Sequence, residues 1–266
     1  MGNSLPDLVK QSGLPDTVSR RFVFNHPVAI DLPRNIWSHT QNNPLEIRAS
    51  DSGKTLFMVS PAHPDGGART LLDGQGTPVV AMEGYTLARE LATYILLPPT
   101  HTGADRKKPL CHIETCFLPM QKQFEIEMED PVTGKFVVFQ MAGNWANREV
   151  YFYRKDPGLA ALRSQDYCMA RVYPNKKLKK QAKKEGRDPP YTLDVAPGVD
   201  VALMLLVCAA LDEEIVKRKN DAYVVGKDET TQQLMCRHHA IPDKDVRPHR
   251  QAQWLARSEV GGLLGG

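Results

Sequence analysis

The chain has 266 residues, 41% of them hydrophobic and 24% charged, enough for one large domain or two small ones with a sizeable core. Its formal net charge of +3 is too small to point to a nucleic-acid partner by itself. Five cysteines, an odd number with no Cys-x-x-Cys pair, exclude a disulfide framework and favour a reducing, intracellular compartment. The start of the chain carries no signal-peptide apolar region. Pro6 stands where the myristoylation pattern after Gly2 asks for Ser or Thr.

Residues 1–19 read as a polar, mobile lead-in. From Arg20 the texture becomes a series of short β-type runs. Arg20–Phe24, Leu45–Ala49 and Thr55–Val59 are separated by Pro, Asn, Ser and Gly clusters. Residues 70–82 predict a hairpin turning at Asp73, Gly74 and Gly76. Leu91–Leu97 and Leu110–Leu118 follow, across a polar connection from Pro98 to Pro109. Phe124-Glu-Ile-Glu-Met-Glu129 alternates strictly, which puts three apolar side chains on one face and three carboxylates on the other. Phe136–Met141, Glu149–Arg154, Tyr167–Tyr173 and Tyr191–Ala196 complete the predicted strands.

The stretch after Pro197-Gly198 differs from all of these. Val201 to Leu211 is apolar at every position, and a helix that is apolar all round must be buried all round. Eleven such residues fall well short of the roughly 18–20 that span a bilayer. Asp200 sits where a carboxylate can accept the first free N–H groups of the helix. Many strands followed by one greasy helix are not βαβ alternation, so a parallel sheet is not expected. A closed antiparallel barrel, which removes exposed edges, suits the pattern better. The domain is expected over 20–216, with a polar, flexible tail over 217–266 and a short helix near Gln251–Val260.

The run Tyr191-Thr-Leu-Asp-Val-Ala-Pro-Gly-Val-Asp-Val-Ala-Leu-Met-Leu-Leu-Val-Cys-Ala-Ala-Leu-Asp212 resembles the closing strand and central helix of LURP-one-related proteins. The hairpin Leu71-Leu-Asp-Gly-Gln-Gly-Thr-Pro-Val79 and the segment Gly143-Asn-Trp-Ala-Asn-Arg-Glu-Val-Tyr151 fit the same family. The resemblance covers roughly residues 20–216. It implies a tubby-like fold: a closed, about twelve-stranded antiparallel β-barrel around one central hydrophobic α-helix, related more distantly to phospholipid scramblases. Tubby domains bind phosphoinositides through basic surface residues, none of which is carried over to a position of this chain. The family itself carries no settled biochemical activity.

The strongest functional signal is the run Lys176, Lys177, Lys179, Lys180, Lys183, Lys184 and Arg187, interrupted by one acid, Glu185. This one segment holds more net positive charge than the whole chain. Lying between two strands, it should protrude as a loop or short helix. Three readings stand: contact with an anionic phospholipid surface, where each cation contributes about 1 kcal/mol; a nuclear-import signal; or a solvated insertion without a partner. No aromatic residues interleave with the cations to stack bases.

Other candidates read more simply as structure. Glu125, Glu127 and Glu129 suit a water-facing strand face. Cys236, His238, His239 and His249 match no zinc spacing. Gly53-Lys54-Thr55 lacks the first glycine of a phosphate loop, Arg48 standing there. Trp145, Tyr151, Phe152 and Tyr153 suit wall packing, and Cys208 a small core residue. The expectation is a non-enzymatic protein without metal or cofactor, cytoplasmic with peripheral membrane association, or nuclear. A scramblase-like membrane protein is the competing class.

Overall fold

The computed structural model describes residues 5–11, 14, 18–34, 36–37, 43–61, 69–88, 91–97, 111–118, 121–129, 136–155, 168–184 and 189–225. The chain divides into two compact units, residues 1–217 and 218–266. Among the described residues the first holds twelve strands: β1 (Val28–Leu32), β2 (Leu45–Ala49), β3 (Thr55–Val59), β4 (Arg69–Asp73), β5 (Pro78–Ala88), β6 (Leu91–Leu97), β7 (Cys111–Leu118), β8 (Gln121–Glu129), β9 (Phe136–Asn144), β10 (Glu149–Lys155), β11 (Cys168–Pro174) and β12 (Tyr191–Val195). Each pairs antiparallel with its neighbour in sequence, and β1 pairs β12 with Ile30 opposite Leu193, which closes the ring.

Alternation along the strands sets the two faces. Ile47 and Ala49 of β2, Phe57 and Val59 of β3, and Val150 and Phe152 of β10 turn inward and are buried. These side chains share one apolar core with a helix, α2 (Val201–Val225), which is buried at every residue from Val201 to Asp212. The core draws on strands from all round the ring. A helix with no polar stripe can be satisfied only in such surroundings.

One sequence expectation is corrected by these elements. Arg20–Phe24, expected as the first strand, begins instead as a 3-10 turn over Arg20–Phe22, capped by the Ser19 hydroxyl, with Phe22 buried. The strand that fills this place is Val28–Leu32, whose short run between Pro27 and Pro33 hid its alternation. The helix expected in the apolar stretch is α2, which continues to Val225, and the basic segment, expected as a loop or short helix, is the helix α1 (Lys176–Lys184) between β11 and β12.

Turns follow from local chemistry. Asp73 Oδ1 accepts the N–H groups of Gln75 (3.0 Å) and Thr77 (2.9 Å), bending the chain from β4 to β5. Gly198 has φ +84, and a Cβ there would lie 2.1 Å from the Gln11 carbonyl oxygen. Only glycine admits that close approach. The segment before β1 is thereby held against the base of β11 and β12: Val9 N–H donates to the Cys168 carbonyl (2.8 Å) and Gln11 N–H to that of Pro197 (2.9 Å).

A charge placed in the middle of α2 has no partner available. Leu205, fully buried, predicts that Leu205→Lys abolishes cooperative thermal unfolding, since an unpaired buried charge costs several kcal/mol. Leu205→Met, similar in volume, should cost less than about 1.5 kcal/mol. A Leu205→Lys protein with a sharp, near-wild-type melting transition contradicts this packing.

Candidate functional site

Three polar arrangements stand out, two that fix α2 and one that carries α1. At the start of α2, Asp200 is buried and accepts four backbone N–H groups. Its Oδ1 takes those of Ala202 (3.0 Å) and Leu203 (3.2 Å), and its Oδ2 those of Val18 (2.8 Å) and Ser19 (3.1 Å). One carboxylate thus caps the helix and staples the preceding segment to it. Burial raises the Asp200 pKa, and the four backbone donors pull against that rise.

Past the apolar stretch, midway along α2, buried Asp212 pairs with Arg148 and accepts the Tyr191 hydroxyl (3.0 Å). The guanidinium lies 4.4 Å from the Trp145 ring centroid and 4.7 Å from that of Tyr191. Arg148 follows a 3-10 turn, Trp145–Asn147, and has φ +59, a backbone state non-glycine residues seldom adopt. Gly143 makes the turn feasible: with φ +108, a Cβ there would meet the Glu149 carbonyl oxygen at 2.3 Å. Trp145 Nε1 and Arg148 Nε are buried without an acceptor. Burial first, then Asp212, pushes the Tyr191 hydroxyl well above its usual pKa, and burial does the same to the Cys208 thiol. Both therefore stay protonated, and Cys208 is an inert core thiol.

The basic segment is the helix α1. Ala182 is buried and Leu178 half-buried, whereas Lys179, Lys180, Lys183 and Lys184 are exposed. At helical spacing these four cover one face about 140° wide, opposite the two apolar residues. The backbone of Lys176 and Lys177 belongs to α1; Arg187 lies outside the described residues. Four of the seven candidate residues, Lys179, Lys180, Lys183 and Lys184, are thus brought together as a helical face.

Beneath α1 runs a polar network on the outer wall. Asn175 Oδ1 accepts the Leu178 N–H (3.1 Å), and its Nδ2 donates to Asp31 Oδ1 (3.0 Å) and Thr192 Oγ1 (3.1 Å). The Thr192 hydroxyl donates to Asp31 Oδ1 (2.7 Å). Alongside, Asp194 Oδ2 accepts from Arg171 Nε (3.1 Å) and Oδ1 from the Tyr173 hydroxyl (3.0 Å), while Arg171 Nη1 reaches the Pro6 carbonyl (3.1 Å). These contacts explain why β12 is buried at every residue, even where its side chains point outward. Sequence reading missed Asn175, although an Asn directly before a helical lysine run is a cap signal. It also missed the Arg148–Asp212 pair, whose partners are far apart in the chain and leave no local trace.

The other sequence candidates fall as follows. Trp145 and Phe152 are core residues, and Tyr151 and Tyr153 stack on the outer face at 5.9 Å. Gly53, φ +67, belongs to the turn between β2 and β3. Glu125, Glu127 and Glu129 lie on β8. Cys236, His238, His239 and His249 lie outside the described residues. Among the described residues, no three His, Cys, Asp or Glu side chains gather as a metal site.

Residues 34–212 match the LURP-one-related family. The chain belongs to that family. No curated protein and no solved structure matches it. The family match begins after β1, yet β1 pairs both β12 and β2 and so completes the ring.

Two predictions follow from these contacts. Arg148→Met or Asp212→Leu alone should destabilise the LURP-one-related domain by about 3–5 kcal/mol in urea unfolding, because each strands a buried polar partner. The double variant Arg148→Met/Asp212→Leu should recover most of that loss; additive losses would show the pair is not coupled. Tyr173 is pushed up to about 12, by burial first and then by Asp194. A raised folded-state pKa stabilises below the unfolded value near 10 and is lost as pH climbs toward 12. Tyr173→Phe should therefore flatten the fall in melting temperature over that alkaline range.

Proposed function

We propose that this protein acts by binding, not by catalysis, and that the exposed face of α1 is a contact for anionic phospholipid surfaces, phosphoinositide headgroups included, with an adaptor role for the domain it is built on. The observation that carries the reading is the gathering of Lys179, Lys180, Lys183 and Lys184 on one solvent-facing side of a helix fixed to a rigid wall. Four cations at about 1 kcal/mol each near an anionic leaflet amount to a peripheral hold of useful strength. Membership of a family resembling tubby-like and scramblase-like proteins supports a lipid connection. No described helix is long and apolar enough to cross a membrane, so the binding reading is favoured over a membrane-embedded one that would use helices.

Vesicle sedimentation tests it. The variant with Lys179, Lys180, Lys183 and Lys184 all changed to Gln should lose on the order of a hundredfold or more in affinity for vesicles containing phosphatidylserine and a phosphoinositide. Raising the salt concentration should weaken the wild type toward the variant, as screening shortens the reach of exposed charges. Equal binding by the two proteins overturns the reading. A fluorescent fusion that leaves the nucleus, and not the plasma membrane, when the four lysines are changed would replace it with the import-signal reading.

A further inference from the structure

We propose that Asn175 is the positioning residue of the lysine surface: it locks α1 to the barrel wall, so that the four lysines meet an anionic surface as one preset array. This rests on the lipid-contact reading above and adds a residue that carries no charge.

α1 has little reason to form by itself. At nine residues it is shorter than the roughly 12–15 that give a marginal isolated helix. It has no acid in its first turn, where the helix dipole asks for one. Lys179 with Lys183 and Lys180 with Lys184 are like-charge pairs one turn apart, which oppose the helix further. Burial of Ala182 and partial burial of Leu178 anchor one side, but two small contacts fix neither the helix start nor its direction.

Asn175 supplies both. Its backbone carbonyl accepts the Lys179 N–H (2.8 Å) and its side-chain oxygen the Leu178 N–H (3.1 Å). The side-chain nitrogen donates to Asp31 of β1 and Thr192 of β12. Helix start and two adjacent strands are thus joined through a single amide. Among short side chains only this amide offers an acceptor to the helix and two N–H donors to the wall together. Ser would keep the acceptor and lose the bidentate donor; Asp would keep the acceptor and face the Asp31 carboxylate. A helix held in advance leaves less ordering to be done on binding, and all four lysines engage at once.

The test uses the full chain and compares wild type, Asn175→Ser, Asn175→Ala, Thr192→Val and the four-lysine Gln variant. The vesicles are phosphatidylcholine alone or with phosphatidylserine and a phosphoinositide. Asn175→Ser should weaken binding to the anionic vesicles about tenfold, as if roughly one to two lysines had dropped out. Asn175→Ala should weaken it further. Both should show a shallower salt dependence, because fewer cations engage together, and faster hydrogen exchange confined to α1. Thr192→Val, which leaves the helix cap intact, should give a smaller loss in the same direction and covers the case in which an Asn175 variant fails to fold. If the Asn175 and Thr192 variants bind with wild-type affinity and salt dependence while the lysine variant does not, the positioning role is wrong and the lipid contact stands. If the lysine variant also binds as wild type, the lipid contact itself is wrong, and with it the role of Asn175.

Discussion

The constraint from which everything else follows is the lack of any polar side on α2 between Val201 and Leu211. Such a helix is driven out of water on all sides at once, at roughly 25 cal/mol for each Å² of apolar surface covered. That drive has a weakness: it is non-directional. An amphipathic helix is oriented by its own stripe, but a uniformly apolar stretch can rotate or slide among near-equivalent positions without exposing anything polar. The two aspartates that bound the stretch remove the freedom. Asp200 accepts four backbone donors before it and Asp212 is held by Arg148 and Tyr191 after it. Hydrophobic burial provides the energy and the two carboxylates provide the register, the division of labour best attested for buried polar groups.

Each peg also recruits a part of the chain remote in sequence. Asp200 captures Val18 and Ser19, and the neighbouring Gly198 lets Gln11 approach. The segment before β1 is therefore part of the packing at that end of the ring, although the family match begins only at residue 34. Arg171 ties in the same segment further out through Pro6 and Asp7 while also holding Asp194. Asp212 recruits the β9–β10 connection, and the φ of +59 at Arg148 is a local cost accepted for placing a guanidinium over two rings and beside a carboxylate.

Much of this was legible because the signals were local. The β4–β5 hairpin announced itself through Asp73, Gly74 and Gly76, and the observed bonds from Gln75 and Thr77 are what an Asp at a turn makes. Alternation in Phe124–Glu129 marked β8. The run at Val201–Leu211 marked a buried helix, and Asp200 its cap. What stayed hidden was non-local. Val28–Leu32 is a strand because β12 and β2 lie on either side of it, not because its five residues insist on it. Arg20–Phe24 carries the aromatic and branched residues of a strand, yet Ser19 and the burial of Phe22 turn it. Of the candidate site, the charge was visible and its support was not. Lysines can be counted in a sequence, but whether they share a face depends on Leu178, Ala182 and a cap whose other partners, Asp31 and Thr192, come from distant strands.

This separation between charge and support bears on where function can reside. The ring spends its inward residues on α2, and its two internal carboxylates are fully engaged in holding that helix. An interior so occupied leaves recognition to the outside. There the wall strands offer ordinary mixed surfaces, with Arg48 paired to Glu46 and Arg21 to Asp73, pairs whose net worth is small and whose charges cancel. α1 is different in kind. Its described cations are neighbours of one another and carry no balancing acid on their own face, an arrangement that costs stability in isolation. A fold that nonetheless secures such a helix with a buried alanine and a three-way amide holds an electrostatic tension on its surface.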